Sequence, residues 1–187
     1  MRRSDAGGLV IANPIYKEII PQSLASSRRA SLPQIAPSWL RADGSLEPAT
    51  LLATFVAFWR RHAQPLMSGA PYHEIAPHLV RFAFHDRVAN GGGRVEREYA
   101  IGSGRKDVLL TYREARVGME LKIWRDGRPA PLAEGLEQLD TYLAGLGLDE
   151  GWLVVFDRRG GQPPLEERVH VEDARTPTGR SVRVVRA

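Results

Sequence analysis

Leucines at positions 132, 136, 139, 143 and 146 recur at spacings of 4, 3, 4 and 3 residues. That period lays an apolar stripe along one side of an α-helix, and Gly147 supplies the left-handed stop at its end. Just upstream, Val117, Met119, Leu121 and Ile123 alternate with Gly118, Glu120, Lys122 and Trp124, the period of a strand with two unlike faces. Just downstream, Trp152–Phe156 is almost wholly apolar, as in a strand covered on both faces. A strand, an amphipathic helix and a buried strand in succession constrain the chain to an α/β fold in which the helix crosses over the sheet.

The rest of the chain extends this unit. Val95–Ile101 and Lys106–Tyr112 read as strands, the second joined to 117–124 by the turn Arg113-Glu-Ala-Arg116. A helix is expected at about 47–63, opened by Pro48, striped by Leu51, Leu52, Phe55, Val56, Phe58 and Trp59, and stopped by Pro65. Another is expected at about 73–89, ending in Asn90-Gly-Gly-Gly93; Pro77 fits only in its first turn, which puts Glu74 at the helix start. Segments 168–172 and 181–185 read as a late hairpin. The order helix, three strands, helix, strand predicts an α/β sandwich around a mixed sheet whose first three strands are antiparallel.

Residues 1–45 read as an N-terminal arm and 46–187 as the main domain. In the arm, Gly7–Ala12 suggests a short strand, and Asn13-Pro14 caps a helix through Tyr16, Ile19 and Ile20. Pro21, Pro33, Pro37 and Gly44 punctuate a connecting stretch.

Composition closes off several classes of function. With no cysteine there is neither a disulfide framework nor a thiolate metal site. No apolar run approaches the roughly 20 residues that span a membrane, and Met1–Gly8 lacks the apolar stretch of a signal peptide. A cytoplasmic protein is therefore expected. The net charge of +4 is compatible with a polyanionic partner but selects for it only weakly.

Within the strand 117–124, one face is apolar and the other carries Glu120 and Lys122, about 7 Å apart along the strand. A turn centred between Glu114 and Ala115 sets position 107 opposite 122 and position 109 opposite 120, so Asp107 joins them on one face. Of 26 basic residues only Lys17, Lys106 and Lys122 are lysines. A lysine can orient or deprotonate water where an arginine holds its proton. Converging carboxylates suit Mg²⁺, a hard cation that takes oxygen ligands, and Glu74 offers a third. Gln138 and Tyr142 lie one helical turn apart beside the leucine stripe, positioned to reach over the sheet edge.

Singly, each part has a plainer reading. Glu-x-Lys is common on solvated strand faces, Gln-x-x-x-Tyr is common on helices, and Asp107 can be a strand-entry acid. Order and spacing together point to a site. Glu96 or Glu98 can supplement it or pair with Arg94 and Arg97. Gly91–Gly93 and Gly102-Ser-Gly104 are not followed by G-K-[ST] and read as turns. His73, His78 and His85 lack the i, i+4 spacing of a zinc helix.

Glu74, Asp107, Glu120-Leu-Lys122 and Gln138-x-x-x-Tyr142 together resemble the motifs of the PD-(D/E)XK nuclease superfamily. The stretch from Val88 to Asp107, continuing to Gly151–Asp157, is similar to the C-terminal nuclease-like domain of bacterial AAA-type ATPases. Gly8–Pro21 resembles the last wing and helix of the winged-helix section that precedes that domain. The resemblance implies a restriction-endonuclease-like αβββαβ core, Mg²⁺ dependence (with Mn²⁺ as a substitute) and DNA as substrate. It assigns metal ligation to Asp107 and Glu120, catalysis to Lys122, and supporting roles to Glu74, Gln138 and Tyr142. The chain departs from the pattern in having Lys106 where proline usually precedes the acid, and it carries no P-loop. A nuclease-fold module that binds DNA or a partner ATPase without cutting is the alternative expectation.

Overall fold

The computed structural model describes residues 2–3, 9–10, 38–68, 93–98 and 107–187; for 2–3, 9–10, 64–68, 93–98 and 107 it describes the backbone. In the arm, β1 (Arg2–Arg3) pairs antiparallel with β2 (Leu9–Val10), within the expected strand. The expected helices at 13–20 and 73–89, with Glu74, lie outside the described residues.

Helix α1 spans Pro48–Ser68. Pro48 opens it as expected, and Leu51, Leu52, Phe55, Val56, Phe58 and Trp59 are all buried. Pro65 does not stop it. A proline in the final turn forfeits one backbone bond, and residues 66–68 still keep helical geometry. Strands β3 (Gly93–Glu98), β4 (Asp107–Tyr112) and β5 (Ala115–Trp124) follow, then α2 (Leu132–Leu146), β6 (Glu150–Asp157), the four-residue α3 (Leu165–Arg168), β7 (His170–Arg175) and β8 (Ser181–Arg186). The six strands form one mixed sheet in the order β3-β4-β5-β6-β8-β7. β3, β4 and β5 are antiparallel in succession, β6 is parallel to both β5 and β8, and β7 closes the edge antiparallel to β8.

The β4–β5 turn sits one residue earlier than expected. Tyr112 pairs with Ala115 and Leu109 with Gly118, so the turn is Arg113-Glu114. Arg113 adopts φ 53°, a left-handed conformation unusual outside glycine, and its guanidinium donates to the Asp43 carbonyl at 3.2 Å. The register therefore differs by two residues from the expected one. A shift of two preserves the faces.

The sheet buries both faces. On one, Val108, Leu110, Val117, Met119, Leu121, Val154 and Phe156 pack with Phe55 and Trp59 of α1. On the other, Leu109, Leu153, Val155, Val182 and Val184 pack with Leu139, Tyr142 and Leu143 of α2. Gly147 closes α2 in the left-handed conformation, φ 67°. Helix α2 sits low over the sheet because Gly118 and Gly151 face each other across β5 and β6. A Cβ on Gly118 would come within 2.7 Å of Leu143, and one on Gly151 within 2.9 Å of both Leu143 and the Gly118 carbonyl oxygen. Among the described residues no helix is long and apolar enough to cross a membrane.

Candidate functional site

The alternation of β5 decides where its charges point. Met119 and Leu121 enter the α1-side core, so Glu120 and Lys122 face α2. Glu120 has no exposed surface. The Lys122 ammonium lies 3.7 Å from Glu120 Oε1 and 2.7 Å from Glu134 Oε1. It also donates to Gln138 Oε1 at 2.7 Å, while Gln138 Nε2 donates to Glu134 Oε1 at 2.9 Å. Lys122 thus joins the middle strand to the first two turns of α2. Glu134 and Gln138 are four residues apart and share one face of the helix. The hydrogen bond and charge of Lys122 hold the Glu134 carboxyl below its usual range.

Of the expected residues, Glu120, Lys122 and Gln138 come together. Tyr142, one turn beyond Gln138, is buried in the apolar layer with Leu109 and Leu139 rather than standing at the sheet edge. Glu74 and the side chain of Asp107 lie outside the described residues, but the backbone at 107 is informative. Asp107 pairs with Glu98 of β3. Val108 pairs with Met119, so the next step of that register sets position 107 beside position 120. Positions 98, 107 and 120 therefore form a row of three acidic residues across β3, β4 and β5, and directly opposite residues share a face. Glu98, not Glu96, is the β3 acid in this row. Among the described side chains, no group of three or more His, Cys, Asp or Glu is placed to hold a metal ion.

Glu134 was not singled out by sequence reasoning, although it stands one turn before Gln138 and is the acidic residue of the first turn of α2. A second polar group lies at the carboxyl ends of β5 and β6. Asp157, opposite Trp124 in the parallel register, takes two bonds from Arg159, at 3.0 and 2.7 Å. The Arg159 guanidinium also stacks 3.4 Å over the Trp124 ring.

No protein-family model, curated protein or solved structure matches the chain.

Proposed function

We propose that the domain is a cytoplasmic, metal-dependent nuclease that hydrolyses DNA phosphodiester bonds. The observation that carries this reading is the row of acidic positions 98, 107 and 120 with Lys122 one pleat beyond it. Like charges opposite one another on neighbouring strands destabilise a sheet, and a divalent cation offsets that repulsion. Carboxylate oxygens from Asp107 and Glu120, with Glu74 as a third, are the donors that Mg²⁺ or Mn²⁺ takes. When bound, the ion polarises a phosphoryl oxygen and lowers the pKa of a water.

The chain's own part centres on Lys122. Its Nζ is steered by Gln138 at 2.7 Å and Glu120 at 3.7 Å. From there the ammonium orients the attacking water. Glu134 holds the ammonium in place from α2, and Tyr142 fixes the helix from within the core.

One observation favours a second reading, a silent nuclease-fold module that binds DNA or an AAA-type ATPase. Glu120 has no exposed surface, and the lysine is engaged by Glu134 at 2.7 Å. Incubation with plasmid and linear DNA in Mg²⁺ or Mn²⁺ separates the two. The nuclease reading expects cleavage that disappears in Asp107→Asn and Glu120→Gln while both variants melt normally. Cleavage surviving in both refutes it. No cleavage and no heat on Mn²⁺ titration, together with salt-sensitive DNA binding, establishes the silent module.

A further inference from the structure

One oxygen of Glu134 is gripped from two sides. Lys122 Nζ donates to Oε1 from β5 at 2.7 Å, and Gln138 Nε2 donates to the same atom from α2 at 2.9 Å. Gln138 also accepts from Lys122 at 2.7 Å, which fixes the two donors relative to each other. Two donors, one of them charged, therefore converge on a single point above β5. Such a point suits an anionic oxygen.

The group that fills this point is also the one with a way out. The Lys122 side chain is 13% exposed, whereas that of Glu134 is 65% exposed. Helix α2 itself is fixed here. Gly135, the next residue, is buried, and a Cβ on it would come within 2.8 Å of Leu153. The carboxylate therefore leaves by rotating its own side chain into solvent, with the helix staying in place.

An ammonium has three N–H donors. One goes to Glu134 and one to Gln138, and Glu120 lies 3.7 Å away. A phosphate that reaches Lys122 needs the N–H now given to Glu134, and it carries the same sign of charge as that carboxylate. The two anions compete for one seat. Lysine binds phosphate as a point charge, and glutamine side chains donate to the phosphate oxygens of nucleic acids, so both donors serve either occupant.

We propose that Glu134 is an internal stand-in for substrate: its Oε1 fills the seat of a phosphoryl oxygen of DNA, between Lys122 and Gln138, and bound DNA displaces it. The inference rests on reading Lys122 as a residue that meets DNA. While the carboxylate is seated, Lys122 is closed to the phosphate. Once it swings out, Gln138 keeps the lysine aimed.

The test is fluorescence anisotropy of a labelled short duplex DNA with the full chain, in EDTA so that nothing is cut, beside a cleavage assay in Mg²⁺. Removing a competitor held by a part-exposed ion pair, Glu134→Ala should tighten DNA binding about three- to fivefold. Glu134→Gln keeps the shape without the charge and should shift affinity in the same direction; it decides the question if Glu134→Ala melts early. Glu137→Ala removes the same charge from an exposed position of the same helix and should leave affinity within about twofold, since a distant exposed charge is screened. Affinity unchanged or weakened in the Glu134 variants, a gain matched by Glu137→Ala, or no binding of the duplex by any of these proteins overturns the inference. Tighter binding by the Glu134 variants with no cleavage by any protein upholds it and refutes the nuclease reading alone. Cleavage in Mg²⁺ without tighter binding does the reverse.

Discussion

Replacing Lys122 by methionine should expose what the buried carboxylate beneath it costs. Glu120 has no exposed surface, and the ammonium is 3.7 Å away. At an effective dielectric of about 20, that separation is worth about 4.5 kcal/mol of attraction. Methionine keeps the volume of the lysine stem and removes the charge, so the loss is electrostatic rather than a cavity. Glu134, two-thirds exposed, then turns to water. Glu120 has no such exit, and breaking a buried pair by removing one partner typically costs about 3–5 kcal/mol. The expected destabilisation is about 3–4 kcal/mol, or about 6–16 °C in Tm for a chain of this length. The partner variant Glu120→Leu should behave oppositely. Lys122 keeps Glu134 and Gln138, and removing a buried charge is neutral or stabilising by about 1–4 kcal/mol. Thermal melts of both variants at pH 7 measure this. Equal losses in the two variants refute the reasoning.

Gly151→Ala should destabilise by about 1–3 kcal/mol in denaturant titration, because the added methyl meets the Gly118 carbonyl oxygen and Leu143 at 2.9 Å. Leu139→Ala removes a side chain with no exposed surface from the α2 layer and should cost about 2–5 kcal/mol by the same assay. Burial pushes the Asp157 carboxyl up, and the bonds and charge of Arg159, with the charge of Arg168, more than reverse it, leaving it below the usual range. Its contribution to stability is therefore complete above the ordinary aspartate value near 3.9 and fades as pH falls through the lower folded value. Arg159→Met should accordingly raise the midpoint of acid unfolding followed by circular dichroism.

The elements that could be read in the sequence are those whose periodicity and ends both carry signals. The leucine spacing gives α2 its limits of 132 and 146, and Gly147 turns where a glycine is expected to. The two-residue period of β5 places Glu120 and Lys122 together, because any other face would have buried Lys122 against Phe55 and Trp59. The hairpin register was not legible, since it depends on Arg113 entering a left-handed conformation that its residue type does not advertise. Helix α3, at four residues, is too short to show a period. Pro65 misled because a proline disturbs the turn behind it more than the one ahead. Glu134 escaped because an acid in a first turn already has a reason to be there, the helix dipole. Tyr142 was expected at the rim, but its ring continues the Leu139–Leu143 layer.

The facing glycines of β5 and β6 have a consequence for anyone wishing to transplant this site. The 2.7 Å links from Lys122 to Glu134 and Gln138 span from one layer to the next, so their length depends on how far α2 stands off the strands. Two absent methyl groups act as the spacer that sets this gap. Copying the acid, the lysine and the amide onto another scaffold, without a bare patch beneath the helix, would hold the parts a fraction of an ångström out of reach.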